Sequence, residues 1–118
     1  MKPVCLVLGA GAGIGGNVAK KFSKEGFHLC ICRRTDEKGL NNLVKNIEEN
    51  GGSASGFLID IIKDNVIEDL IENIETNIGP IDVVVYNLGA QAGMKLLHET
   101  TLKEFEWGWK VANLGLFR

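Results

Sequence analysis

Four short apolar runs alternate with longer stretches in which apolar residues recur every three or four positions. The runs are Val4–Leu8, His28–Cys32, Ala54–Ile59 and Ile81–Tyr86. They are apolar nearly throughout, which is typical of parallel strands that are covered on both faces. The spacing in the longer stretches is typical of amphipathic helices. The alternation therefore predicts the order βαβαβαβ, followed by a last helix.

Each of the three connecting stretches carries a single apolar stripe. The stripes are Ile14, Val18 and Phe22 in the first stretch, Leu40, Leu43, Val44 and Ile47 in the second, and Ile67, Leu70, Ile71, Ile74 and Ile78 in the third. Gly26, Gly51 and Gly79 follow the stripes, and glycine tolerates the left-handed conformation at a helix end.

Residues that favour helix starts stand ahead of the later stretches. Asp36 and Asp64 are predicted to cap the second and third helices, because their side chains can accept from the first backbone N–H groups. Thr101 and Glu104 fit a capping box that opens the fourth helix.

Right-handed crossovers between such strands give an open, doubly wound α/β sheet of the Rossmann type. We expect the strand order 3-2-1-4 in an incomplete three-layer α/β/α arrangement. A chain of 118 residues is long enough to bury one core. We therefore predict one domain over residues 1–118.

Composition narrows the choice of partners and compartment. The formal net charge of −2 favours neither nucleic acid nor an anionic membrane. No apolar segment approaches the roughly 18 residues that span a bilayer. Cys5, Cys30 and Cys32 lie inside apolar runs, and the last two share one strand face. We interpret them as reduced core thiols of a cytoplasmic protein, and we expect no metal site.

A glycine-rich segment over residues 8–16 joins the first strand to the first helix. Glycine permits a tight turn and lets backbone N–H groups approach a pyrophosphate at the helix N-terminus. Two patterns fit: G-x-G-x-x-G and G-x-x-x-G-I-G. The first uses Gly11, Gly13 and Gly16, and the second uses Gly9, Gly13 and Gly15. This segment, including Ala12, is predicted to bind a dinucleotide.

The end of the second strand indicates which dinucleotide. Proteins that bind NAD usually place an acid there to bond the ribose hydroxyl. This chain has Arg33 and Arg34 instead, and guanidinium groups suit a 2′-phosphate. We predict NADP(H). Because Asp36 could still reach a ribose, NAD(H) stays open.

With these features the chain resembles the short-chain dehydrogenase/reductase family over its whole length. The glycine segment matches the family motif, Asp60-Ile61 is similar to its Asp-Val pair, and residues 86–89 are similar to its Asn-Asn-Ala-Gly. Asn87 and Gly89 match that last motif, whereas Tyr86 and Leu88 depart from it.

The resemblance implies a role for each matched residue. Asp60 would accept from the adenine amino group, and Ile14 and Ile61 would contact the cofactor. Asn87 would fix the strands beneath it, and Gly89 would leave room for its ribose.

The last helix fits the family less well. The resemblance implies an asparagine that supports a proton relay, but Gly115 and Phe117 would place it at Ala112. Asn113, the candidate, comes one residue late, and one residue turns a helical side chain by about 100°. The slip therefore requires a compensating bulge. The family's catalytic Tyr-x-x-x-Lys is absent from this sequence, since its one tyrosine, Tyr86, is followed four residues later by an alanine.

The sequence is thus expected to be the cofactor-binding portion of an NADP-dependent oxidoreductase that acts on an alcohol or carbonyl. We expect it to be truncated at the C-terminus, inactive alone, and part of a homo-oligomer. The aromatic residues Phe105, Trp107 and Trp109 are expected to pack in the core or between subunits. Two alternatives stay open: a non-catalytic NAD(P)-binding module and an S-adenosylmethionine-dependent methyltransferase, although the two arginines disfavour the latter.

Overall fold

A parallel four-stranded sheet in the order β3-β2-β1-β4 organises the chain, with helices on both of its faces. The computed structural model describes residues 2–88 and 95–118. The elements are β1 Val4–Leu8, α1 Ile14–Lys24, β2 His28–Arg33, α2 Glu37–Glu49, β3 Ser53–Leu58, α3 Val66–Asn77, β4 Ile81–Tyr86, a 3₁₀ turn Leu97–Glu99, α4 Leu102–Trp109, a π-helical turn Lys110–Leu114 and α5 Gly115–Phe117. The predicted fold class and strand order are confirmed.

Alternate residues of β1 supply two separate cores, because successive side chains of a strand point to opposite faces. Val4, Leu6 and Leu8 pack with the buried residues of α3. Cys5 and Val7 pack with the buried residues of α1 and α2. All of these β1 residues are at most 4% exposed, so the sheet is covered on both sides, as its apolar strands predicted.

The cysteines lie in these cores as free thiols. Cys30 and Cys32 share the α3 face, as predicted, and Cys5 lies on the other. Burial raises the pKa of Cys5 and of Cys30 to about 11, and it raises the pKa of Cys32 further. All three thiols are therefore protonated at neutral pH.

The inward face of α1 differs from the predicted stripe. Ile14 is 73% exposed, while Gly15, Gly16 and Ala19 are buried. Small residues let the start of the helix approach the strand ends closely. The stripes predicted for α2 and α3 do pack inward, through residues such as Leu40 and Ile74.

Two of the three predicted helix caps are confirmed, and one is wrong. The Asp36 side chain accepts from Gly39 N at 3.0 Å, as expected of an N-cap. Thr101 likewise accepts from the N–H of Glu104 at 3.1 Å. The prediction for Asp64 was wrong, because Asn65 caps α3 through a left-handed backbone.

The last helix, which runs from α4 through the π-helical turn to α5, departs from expectation in its hydrogen bonding and in its packing. Its regular hydrogen bonding is interrupted by the π-helical turn, which contains Asn113; that this turn places Asn113 in the family's Asn position stays a prediction. Its aromatic side chains do not enter the core: Phe105 is 64% exposed and Trp109 is 49% exposed. Of the two roles expected for them, core packing is wrong, and packing between subunits stays a prediction. No described helix is long and apolar enough to cross a membrane.

His28 links the starts of β2 and β3. Its ring nitrogens lie 2.8 Å from Ser53 Oγ and 3.0 Å from Ser55 Oγ. Partial burial of the imidazole lowers the pKa of His28 below its usual value, and the charge of Lys2 lowers it further. The folded chain therefore holds His28 neutral at a pH where the unfolded chain begins to protonate it.

We expect His28 to make stability depend on pH. Its contribution is fully present above the unfolded pKa of about 6.5 and is lost as pH falls toward the lower folded pKa. Urea unfolding at about pH 7.5 and about pH 5.5 should show a larger loss of unfolding free energy in the wild type than in His28→Gln. Equal losses in the two proteins would contradict this role.

Candidate functional site

Three strand ends meet at the glycine segment. The N–H groups of Gly9 and Ala10 both donate to Cys32 O, at 3.1 and 3.0 Å, which ties the turn to β2. The Asn87 side chain donates to Gly9 O at 3.1 Å, which ties the same turn to β4. Because β1 lies between β2 and β4, this is the point where the strand order reverses, and ligands of open α/β sheets bind at such a point.

The glycines of the turn fall into two groups. Gly9 has a φ of +89°, and a Cβ there would overlap the backbone of Asn87. A Cβ at Gly15 would overlap Gly9 O and lie 3.0 Å from Ala10 Cα. Around Gly11 and Gly13, by contrast, a Cβ would meet no described atom within 4 Å. The first group keeps the turn tight, and the second leaves an open backbone surface.

That open surface lies at the start of α1, which begins at Ile14. The first N–H groups of a helix have no acceptor within the helix, and the helix dipole adds partial positive charge there. The described first turn of α1 carries no acidic residue that would compete for them. The arrangement suits a phosphate group.

A cleft of about 240 Å³ opens beside the turn, between the end of β2 and the last helix. Its lining is mostly apolar, with the carboxylate of Asp60 and the two arginines as polar groups. The lining residues are Gly9, Cys32, Arg33, Arg34, Ile59, Asp60, Ile61, Ile62, Leu88, Trp107 and Val111. Asp60 Oδ1 accepts from Ile62 N at 3.3 Å, which orients the carboxylate. The chemistry of this lining suits an adenine ring with polar groups at its edge.

Arg33 and Arg34 differ in their surroundings. The Arg33 side chain is only 12% exposed, its Nε donates to Ala10 O at 2.6 Å, and its Nη1 lies 2.6 Å from Asp36 Oδ2. Arg34 is exposed at the rim of the cleft. A second, more polar groove lies on the other side of Arg33, and Gly11, Ala12, Lys20 and Asp36 are among the residues that line it.

The last helix closes one side of the cleft through Val111 and Trp107. The Tyr86 hydroxyl donates to the carbonyl of Val111, within the π-helical turn. Burial raises the pKa of Tyr86, so the phenol stays protonated as a donor. Gly115 must lack a side chain, since a Cβ there would overlap the Tyr86 hydroxyl and lie 2.7 Å from Ile61 Cδ1.

The structure brings together most of the residues that the sequence singled out. The members of this group are Gly9, Gly11, Ala12, Gly13, Ile14, Gly15, Arg33, Arg34, Asp60, Ile61 and Asn87. Gly89 lies outside the described residues. Asn113 lies on an exposed side of the π-helical turn, as does Ala112, and neither lines the cleft. Their roles toward a cofactor stay predictions.

Sequence reasoning missed some residues of the site. Trp107 and Leu88 line the cleft, and Lys20 lines the second groove. Trp107 could have been found from its spacing. It precedes Val111 by four residues, which places the two side chains on the same face of a helix, next to the predicted Asn position. Leu88 lies between Asn87 and Gly89 in the matched motif, which was a signal as well, whereas Lys20 carries none. In the described ranges, no three His, Cys, Asp or Glu side chains could hold a metal ion together.

The fold defines a Rossmann-type protein, and the glycine turn lies where the strand order reverses. Comparison with known proteins gives the family. Residues 3–118 match the family model of the short chain dehydrogenases, and the chain belongs to that family.

Several members of this family are similar to the chain. A fatty acyl-CoA reductase of Acinetobacter baylyi is 33% identical over 97 residues, which are 82% of this chain and 32% of that protein. A variant of the actinorhodin polyketide ketoreductase, solved with NADPH, has a TM-score of 0.90 at 32% identity, covering 99% of this chain and 44% of that one. A metagenomic short-chain oxidoreductase, solved with NADP, has a TM-score of 0.91 at 25% identity, covering 98% and 52%. The chain thus spans about a third to a half of the length of the proteins it matches.

The two groups of glycines should respond differently to substitution by alanine. We expect Gly15→Ala to lower the unfolding free energy by roughly 1–3 kcal/mol, because its Cβ meets rigid backbone. Gly11→Ala has open space, so its thermal midpoint should stay close to that of the wild type. Thermal unfolding followed by circular dichroism would measure both, and equal destabilisation of the two variants would contradict the distinction.

Proposed function

We propose that the chain binds NADP(H) and forms the cofactor-binding part of an oxidoreductase that acts on an alcohol or carbonyl. The observation that carries this proposal is the open glycine turn at the start of α1, with Arg33 and Arg34 at the rim of the adjoining cleft. The family membership supports it, as do the relatives that were solved with NADPH and NADP.

Different residues would bind different parts of the cofactor. The N–H groups around Gly11 and Gly13 would hold the pyrophosphate, and the cleft would hold the adenine. Asp60 would accept from the adenine amino group, and Ile61 would pack against the ring. The arginines would bind the 2′-phosphate through charge-assisted hydrogen bonds.

The second strand end favours NADP(H) over NAD(H). A ribose 2′-hydroxyl is usually bound by a carboxylate at that position, and this chain has a guanidinium there. Asp36 lies three residues further on, and its carboxylate accepts a hydrogen bond from the guanidinium of Arg33. NAD(H) is therefore proposed as the weaker ligand.

When bound, NADP(H) supplies or accepts a hydride at its nicotinamide ring. The proton that accompanies hydride transfer needs an acid–base group near the substrate. Tyr86 does not fit that role, because its hydroxyl is engaged with Val111 and its pKa is raised. We therefore propose that residues 1–118 bind the cofactor and do not turn over substrate by themselves, while Asn113 supports a proton relay completed by further groups.

Two further features belong to the proposal. The exposed apolar side chains of the last helix, including Phe105, Trp109 and Phe117, suit a contact between copies in a homo-oligomer. The protonated, unbridged thiols suit a cytoplasmic protein.

Cofactor titration tests the central claim. NADPH should raise the melting temperature of the wild-type chain and bind more tightly than NADH in calorimetry, while S-adenosylmethionine should leave both readouts unchanged. No response to either dinucleotide would contradict the proposal.

Arg33→Ala should weaken NADPH binding by about tenfold or more, because a charged hydrogen bond to the 2′-phosphate is lost. NADH binding should change much less. Lys45→Ala is a suitable control, since it removes a positive charge from an exposed position on α2. A similar loss of affinity for both cofactors would indicate that Arg33 only supports the turn.

A further inference from the structure

The guanidinium of Arg33 already has partners. Its Nε bonds Ala10 O within the glycine turn, and its Nη1 bonds the Asp36 carboxylate, each at 2.6 Å. Because the side chain is only 12% exposed, these partners hold it against the protein. A phosphate that approaches Arg33 therefore competes with the Asp36 carboxylate for the Nη1 group.

Asp36 is also held by an interaction that does not involve Arg33. Its backbone is left-handed, with a φ of 61°, and its Oδ1 accepts from Gly39 N as the N-cap of α2. Gly39 leaves the space for the pair, since a Cβ there would overlap both Arg33 Nη1 and Asp36 Oδ2. Asp36 Oδ1 thus serves the helix, and Oδ2 serves the arginine.

We propose that Asp36 is a specificity-determining residue that restrains the preference of this site for NADP(H) over NAD(H). The inference rests on the proposed function and adds a residue that opposes the two arginines. Its carboxylate competes with the 2′-phosphate for Arg33 and stays close to the phosphate after it is displaced.

Charge decides the direction of the effect. A phosphate monoester carries about −1.5 to −2 charges at neutral pH, so a fixed carboxylate beside it is repulsive. The Asp36 side chain is 62% exposed, so water can solvate its carboxylate when a phosphate takes its place at Arg33. NAD(H) presents a hydroxyl instead, which can donate to the carboxylate. Asp36 therefore weakens the binding of one cofactor and favours the binding of the other.

Asp36→Asn isolates the charge. Asparagine tolerates the left-handed backbone and is as good an N-cap as aspartate, so the turn and α2 are kept. The variant should bind NADPH about fivefold or more tightly than the wild type and NADH no more tightly, as measured by calorimetry. Asp69→Asn is the matched control, because it removes the same charge from the first turn of α3. It should leave the ratio of the two dissociation constants unchanged.

Fragments of the cofactor with and without the 2′-phosphate test whether this group causes the change in affinity. Adenosine 2′,5′-bisphosphate should show the same gain in Asp36→Asn as NADPH, and 5′-AMP should show none. If Asp36→Asn proves unstable in thermal unfolding, Asp36→Gly provides the same test, since glycine also accepts the positive φ.

The outcomes separate the two claims. A wild type that binds NADPH, with an unchanged NADPH-to-NADH ratio in both Asp36 variants, would overturn the role of Asp36 and leave the proposed function intact. A wild type that binds neither dinucleotide would overturn both.

Discussion

The tight turn after β1 is the constraint on which the rest of the structure depends. The N–H groups of Gly9 and Ala10 donate to one carbonyl of β2, and the side chain of Asn87, which directly follows β4, donates to the carbonyl of Gly9. Because Gly9 lacks a side chain, the turn can lie against the backbone of Asn87, and because Gly15 lacks one, α1 can lie against the turn. This closeness positions the start of α1 at the carboxyl end of β1, which is the place proposed for the phosphate groups.

Much of the fold was predictable because each local signal agreed with the others. Apolar runs, helical stripes and glycine ends indicated the same boundaries, and the ends of β1 and β4 were predicted to the residue. The strand order followed from the doubly wound arrangement of right-handed crossovers. The position of the glycine segment between β1 and α1 was predictable as well, while the roles of its residues toward a cofactor stay predictions.

What could not be predicted depended on contacts between distant residues. Ile14 continues the apolar stripe of α1, yet it is exposed because smaller residues face the strands. Asp64 has the right type for a cap, but its carboxylate bonds Arg118, 54 positions away, at 2.8 Å. The engagement of Arg33 with Ala10 likewise joins residues 23 positions apart. Periodicity and propensity carry no information about such pairs.

Two neighbouring residues at the end of β4 bond two separate parts of the molecule, the last helix and the glycine turn. Tyr86 reaches the carbonyl of Val111 in the last helix, and Asn87 reaches the carbonyl of Gly9 in the turn. Any sliding of β4 along its own axis would therefore drag the helix and the turn together. The strand acts as a common anchor that keeps the wall of the cleft and its floor in register.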